Sequence, residues 1–261
     1  MRVDEGEGPV VVLLHGQPGS ASDWVRVVPL LRGRGLRVVA VDRPGYGASR
    51  GFPADWRGNA WGLLRVLDRL SVDDALLVGW SWGGGVALQA ALDAPGRVRG
   101  LVLVGSVGHP MAVGPVDRLL ASPGVRHLIA PAMRRLGHRG MALLEVTSGS
   151  RLDAEALRWF EAEARLWPAS GAWESAAVEQ VAMVRDAAAL GAALPLIGVP
   201  VLVVHGWHDQ YVGMRAAAAL VAALPDARLV PLDGGHLVPF ELPGALADLV
   251  VGAALGTRAA R

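Results

Sequence analysis

Six short runs rich in valine and leucine, separated by longer stretches of helical character, constrain this sequence more than any other feature. They lie at Val10–His15, Arg37–Asp42, Ala75–Trp80, Val98–Val104, Val201–His205 and Arg228–Leu232. Apolar residues follow one another in these runs with little polar alternation. A strand covered on both faces requires that pattern, whereas a half-exposed strand would alternate. Between and after the runs, Ser22–Arg34, Ala54–Leu70, Ser81–Ala94, Met214–Leu224 and Phe240–Leu255 read as helices. Strand and helix therefore take turns, the order expected of a mostly parallel, doubly wound α/β sheet flanked by helices.

One stretch breaks the rhythm. From about Val107 to Leu196 no strand can be drawn, while Asp153–Leu166 and Ala176–Leu190 have helical spacing. A helical block placed between two sheet strands is expected to cap the carboxyl edge, where open α/β sheets bind ligands. The chain thus divides into a first core part, 1–106, a helical cap insertion, 107–196, and a second core part, 197–261.

Composition narrows the function. With 261 residues, 52% of them hydrophobic and 19% charged, the chain is long enough for one large domain and too apolar for disorder. A net charge of +1 offers no footprint for nucleic acid or an anionic membrane. The absence of cysteine excludes thiol catalysis, disulfides and cysteine-ligated metals. No His/Asp/Glu cluster has metal spacing, and no Gly-x-Gly-x-x-Gly links a strand to a helix, so neither a metal nor a nucleotide cofactor is expected. Two uncharged runs, Ala75–Leu92 and Ala187–Val204, have the length of a membrane span. The first turns on Gly-x-Ser-x-Gly-Gly and the second is broken by Pro195 and Pro200, so each reads as two buried elements. The acidic start, Asp4-Glu5-Gly6-Glu7, is unlike a signal peptide, and a soluble cytoplasmic protein without a membrane span is expected.

The chemistry points to Gly79-Trp80-Ser81-Trp82-Gly83-Gly84, directly after one strand candidate and directly before a helix. A sharp strand-to-helix turn forces its central residue into a strained backbone and lifts that side chain above the sheet. Glycines on either side remove Cβ atoms that would collide across the turn. The helix N-terminus adds positive potential where an alkoxide and an oxyanion would form. A serine in such a place can also be a plain helix cap. The strand before it and the helix after it favour a nucleophile.

With Ser81 so placed, the sequence resembles the α/β-hydrolase superfamily, in its serine-nucleophile, esterase-like branch. His15-Gly16-Gln17-Pro18-Gly19 is similar to the family's His-Gly turn after an early strand. Asp42-Arg43-Pro44-Gly45-Tyr46-Gly47-Ala48-Ser49 is similar to its Asp-x-x-Gly-x-Gly-x-Ser loop. The resemblance covers nearly the whole chain outside the cap and implies the order nucleophile, acid, histidine. On that order Asp209, after the Val201–His205 strand, is the acid, and His236, after the last strand, is the base. His205 and His208 compete as bases, and Asp233 competes as the acid. No acid follows Val98–Val104, where Gly105-Ser106 takes the position that some relatives use. The oxyanion hole would be the backbone N–H of Trp82 and, as the resemblance implies, that of Gln17. The Asp42–Ser49 loop reads as structural.

In the cap, Trp159, Trp167 and Trp173 stand beside Phe160, Met133, Met141 and Met183. Such spacing usually marks a core, but an inner face of this kind would favour an apolar substrate. The expected substrate is therefore a hydrophobic small-molecule ester. The same side chains also suit carbon–carbon hydrolysis, cofactor-free perhydrolysis or a slow-turnover ligand-binding protein. A serine at position 81 argues against dehalogenase and epoxide hydrolase relatives, which use aspartate. Members of the superfamily usually begin with two further antiparallel strands, for which only about nine residues remain before Val10. The sheet is thus expected to lack its outer edge: the edge is dispensable, or a second subunit of a homo-oligomer covers it, or the true start lies upstream.

Overall fold

A computed structural model describes residues 3–49, 51–136 and 147–256. Seven strands form one sheet: β1 (Val3–Glu5), β2 (Val10–Leu14), β3 (Arg37–Val41), β4 (Ala75–Trp80), β5 (Val98–Val104), β6 (Val201–Gly206) and β7 (Ala227–Leu232). Their order across the sheet is β1-β3-β2-β4-β5-β6-β7, and every pairing except β1 with β3 is parallel. All six strands read from the sequence are present, within one residue at either end.

The parallel strands are buried on both faces, and alternate residues feed two separate cores. Val12, Leu14, Leu77, Leu103 and Val203 pack against α2 (Trp56–Arg69), α3 (Trp82–Asp93) and α8 (Met214–Ala223). Val11, Leu13, Val78, Val104 and Val204 pack on the other side against α1 (Val28–Arg32) and α10 (Pro243–Gly256). Between β5 and β6 the chain forms α4 (Pro115–Ala121), α5 (Pro123–Leu136), α6 (Ala154–Ser170) and α7 (Ala172–Ala193), with no strand among the described residues. A short α9 (Val238–Glu241) precedes α10.

Three expectations are corrected. The outer edge of the sheet is partly present, because β1 runs antiparallel to β3. Val3-Asp4-Glu5 is short and charged, and Arg37 binds Asp4 at 2.9 Å. Charge suits an exposed edge, and it hides a strand from any search for buried apolar runs. The expected helix Ser22–Arg34 is a 3₁₀ turn, Ala21–Trp24, followed by α1. Ser20 and Asp23 cap the turn reciprocally, and Pro29 starts the second piece. The expected helix Phe240–Leu255 divides into α9 and α10 because Pro243 begins the second. Among the described residues no helix is long and apolar enough to cross a membrane.

The strand order reverses between β2 and β4. Loops leaving the carboxyl ends of two adjacent strands diverge at such a point and leave a crevice. The loop after β2 carries Gln17, and the turn after β4 carries Ser81.

Candidate active site

Ser81 adopts φ 52° and ψ −118°, a left-handed backbone rare for any residue with a side chain. The turn is held by the Ser81 N–H, which donates to the Val104 carbonyl at 2.8 Å, and by close packing around it. A Cβ on Gly83 would lie 2.4 Å from the Leu14 carbonyl oxygen, and one on Gly79 would lie 2.5 Å from that of Gly83. Only glycine fits at either place, so α3 starts hard against β2 and the serine projects at the helix N-terminus.

His236 reaches this serine from the loop after β7. Its Nε2 is 3.0 Å from Ser81 Oγ, and its Nδ1 is 2.8 Å from Asp209 Oδ2. Asp209 is buried; its other oxygen accepts the N–H groups of Tyr211 and Val212, each at 2.9 Å. Burial disfavours the Asp209 anion. The charge and hydrogen bond of His236, the Val212 amide and His205 outweigh burial, and the carboxyl lies below its usual range. An ionised Asp209 accepts the hydrogen bond of Nδ1–H, which leaves the Nε2 lone pair facing the serine hydroxyl.

The competing residues are placed elsewhere. His208 pairs with Asp233 at 3.0 Å, both exposed. His205 is wholly buried, its Nε2 2.6 Å from the Val212 carbonyl. Burial first, and the neighbouring His236, hold it below the usual histidine range against the pull of Asp209. It therefore stays neutral behind the carboxylate. At Gly105 a Cβ would come within 3.1 Å of Asp209 Oδ2 and 3.2 Å of His236 Nδ1. The bare position after β5 is what gives the acid from β6 its room.

Trp82 follows Ser81 in the chain, and the loop that carries Gln17 passes close by, a Cβ on Gly16 falling 3.3 Å from Ser81 Cβ. Among the described residues no backbone acceptor is found for the N–H of Trp82 or of Gln17. The Gln17 side chain donates to the Ala176 carbonyl of α7 at 2.5 Å. The Trp80 indole N–H donates to the His236 carbonyl at 2.9 Å, and its ring lies 5.8 Å from the imidazole. Trp173 and Phe160 are buried in the same core as Trp80, Leu237 and Phe240. Trp159 is 40% exposed. The side chain of Trp167, like that of Met133, lies outside the described residues, as does Met141 altogether.

One brace gave no signal in the sequence. Thr147-Ser148-Gly149-Ser150, ahead of α6, touches both the loop that carries Asp209 and the loop that carries His236. The Ser148 carbonyl accepts the N–H of His236 at 3.1 Å and that of Gln210 at 3.4 Å. Ser150 Oγ accepts the Leu237 N–H at 2.8 Å. Tyr211, whose ring stands edge-on to His236 at 5.1 Å, meets Thr147 Oγ1 through its hydroxyl at 2.5 Å. A run of small polar residues looks like any loop; only its carbonyl and hydroxyl positions give it a role.

No cluster of three or more potential metal ligands occurs among the described residues. A cleft of about 520 Å³ opens between α5, α7 and Asp55 at the start of α2, and its lining includes none of Ser81, Asp209 and His236.

Residues 11–249 match the model of the Alpha/beta hydrolase family. The chain is 32% identical to the Magnesium-chelatase 30 kDa subunit of Rhodobacter capsulatus, over 95% of this chain and 88% of that protein. It is 33% identical to the 2-hydroxymuconate semialdehyde hydrolase of Pseudomonas sp. (strain CF600), over 95% and 87%. It is 31% identical to the Pimeloyl-[acyl-carrier protein] methyl ester esterase of Yersinia enterocolitica, over 94% and 93%. Among solved structures, an esterase from Exiguobacterium antarcticum is similar in fold, with a TM-score of 0.82 at 22% identity, over 97% of this chain and 94% of that one.

Proposed function

The chain belongs to the alpha/beta hydrolase family, and from that premise we propose that it is a serine hydrolase cleaving carboxylic esters of hydrophobic small molecules. The observation that carries this reading is the continuous hydrogen-bond chain from Ser81 through His236 to Asp209. A serine hydroxyl is a weak nucleophile until a base within hydrogen-bond reach takes its proton.

In the proposed reaction Ser81 Oγ attacks the ester carbonyl carbon as its proton passes to His236 Nε2. Asp209 keeps the imidazole in the required tautomer and stabilises the imidazolium without taking the proton. The carbonyl oxygen becomes an oxyanion facing the N–H groups of Gln17 and Trp82. Loss of one such donor costs about 3 kcal/mol. Collapse of the intermediate breaks the bond to the alkoxy group, which leaves as alcohol with the proton from His236. Water, deprotonated by the same nitrogen, then attacks the acyl carbon; the bond to Ser81 Oγ breaks, His236 returns the proton to that oxygen, and the acid leaves.

The stretch 107–196 acts as the cap. Support comes from Gln17 against Ala176, Ser148 against His236, and Thr147 against Tyr211, three contacts that set it over the carboxyl edge. The aromatic cluster of Trp80, Phe160, Trp173 and Phe240 beside the histidine loop favours an apolar acyl or alcohol group. A second reading, hydrolysis of a carbon–carbon bond through the same residues, is favoured by the 33% identity to the semialdehyde hydrolase.

A panel of p-nitrophenyl esters tests the proposal. Turnover above about 1 per second, fastest on medium chains and abolished in Ser81→Ala, is expected. Turnover that survives in Ser81→Ala, or that is tenfold faster on acetate or charged esters, would contradict it. Turnover of a dienone-type acid without ester turnover would select the second reading.

A further inference from the structure

A buried ion pair lies on the side of the crevice away from His236 and takes no part in the proton transfers. Arg43, in the loop after β3, is 1% exposed, and its partner Glu179, on α7, is fully buried. One guanidinium nitrogen of Arg43 donates to Glu179, and Tyr46 Oη donates to the other carboxylate oxygen at 2.6 Å. The guanidinium lies over two rings, 4.4 Å from the centre of Trp82 and 4.7 Å from that of Tyr46. Its remaining donors go to the β2 loop: Nε to the His15 carbonyl at 3.2 Å, and Nη2 to the Gly16 carbonyl at 2.7 Å.

The Gly16 carbonyl and the Gln17 N–H belong to one planar peptide group, and in a trans peptide they point in opposite directions. Fixing the carbonyl therefore fixes the direction of the N–H. His15 adds to the constraint, because its Nδ1 donates to the same Gly16 oxygen at 2.8 Å while its Nε2 accepts the Arg43 N–H at 3.0 Å. One donating and one accepting nitrogen require the neutral ring. Burial, with the charge of Arg43, holds His15 well below the usual histidine range. A cation on the carbonyl also polarises the peptide and strengthens its N–H as a donor.

We propose that Glu179 and Arg43 are positioning residues for the oxyanion hole: α7 holds Arg43 through Glu179, and Arg43 aims and polarises the Gly16–Gln17 peptide while stacking on Trp82. The inference rests on the reading of Gln17 and Trp82 given above. The same helix face makes two further contacts, Gln17 Nε2 to the Ala176 carbonyl and Ser175 Oγ to the Gly45 carbonyl at 2.7 Å. Three residues of α7, Ser175, Ala176 and Glu179, and the two loops they touch form one seam. The helical stretch thereby contributes to transition-state stabilisation without touching the substrate.

The test compares Glu179→Gln, Arg43→Lys and the double variant Arg43→Met/Glu179→Leu on one p-nitrophenyl ester. The double variant removes both buried charges together, which folded proteins tolerate better than the loss of one partner. The expected result is a fall in kcat of about 10- to 100-fold, below the loss of a whole donor, with KM within about twofold. Affinity for a trifluoromethyl ketone, which forms the oxyanion, should fall by the same factor. A change confined to packing would shift thermal stability without that parallel. Folded variants that keep kcat and ketone affinity within twofold of wild type overturn the inference. Should Ser81→Ala retain turnover, the functional reading itself fails; an inert Ser81→Ala beside unaffected Glu179 and Arg43 variants removes only the positioning role.

Discussion

The sheet core and the helical stretch between β5 and β6 meet at the same crevice but are built by different rules. In the core, continuous apolar strands fix the positions of the loops, and three of these loops each present one member of the hydrogen-bonded set: Ser81 after β4, Asp209 after β6, His236 after β7. Among the described residues, no side chain of the helical stretch hydrogen-bonds the Ser81 hydroxyl. Its described residues offer carbonyls, hydroxyls and the buried carboxylate of Glu179, and they meet the core at Ser148 and Ser150 beside His236 and at Ser175, Ala176 and Glu179 beside Gln17 and Arg43. On the proposed reading, the reactive groups come from the core and part of their aim comes from outside it.

The largest effect that separates the two regions is expected for Asp209→Asn. It leaves the core packing nearly unchanged but presents His236 in the wrong tautomer, and kcat should fall by roughly 10⁴-fold. A loss below about tenfold in steady-state kinetics would mean that the acid is elsewhere. Next comes Gly83→Ala. The added methyl meets the Leu14 and His15 carbonyl oxygens at 2.4 and 2.6 Å, both backbone, so β2 or α3 must move. A loss of about 1–3 kcal/mol in urea unfolding, with reduced activity, is expected. Unchanged stability would show that the elbow is looser than its contacts imply.

A third prediction sharpens the grip of the helical stretch through pH. Burial pushes Glu179 up to about 7, against the pull of Arg43 and Tyr46. As pH rises from about 4.5 the unfolded chain releases this proton first, so the contribution of Glu179 to stability is full in acid and declines until about pH 7. Glu179→Gln has no such proton. The stability of wild type minus that of the variant should fall between pH 4.5 and 7 and level off above; parallel curves would contradict this. The smallest effect belongs to an exposed contact of the same helix. Arg185 binds Asp55 at 2.9 Å where both are solvated, and Arg185→Met should cost less than about 1 kcal/mol. A larger loss would mean that surface contacts, and not the buried seam, hold α7 to the core.

These regions were also unequally legible in the sequence. Apolar runs and the Gly-x-Ser-x-Gly turn carry their meaning locally, so six strands and the meeting of Ser81, Asp209 and His236 could be anticipated. β1 was hidden because an exposed edge strand of Val3-Asp4-Glu5 buries too little to leave an apolar pattern. The brace at Ser148 was hidden because a backbone carbonyl has no letter. The Arg43–Glu179 pair spans 136 positions, and the Asp42–Ser49 loop read as structural without a partner. A signal did exist in α7: Glu179 stands between Ala176 and Met183 on a buried face. A lone acid on an apolar stripe calls for a buried cation, since an unpaired charge is costly there.

The most direct measurement of the central claim is the mass and site of the adduct formed with an alkyl fluorophosphonate. The hydrogen-bond chain from Ser81 to Asp209 predicts one adduct per chain, mapped by peptide sequencing to Ser81, with turnover lost in proportion to labelling and Asp209→Asn labelled far more slowly. Unlabelled folded protein, or an adduct on any other side chain, would contradict it.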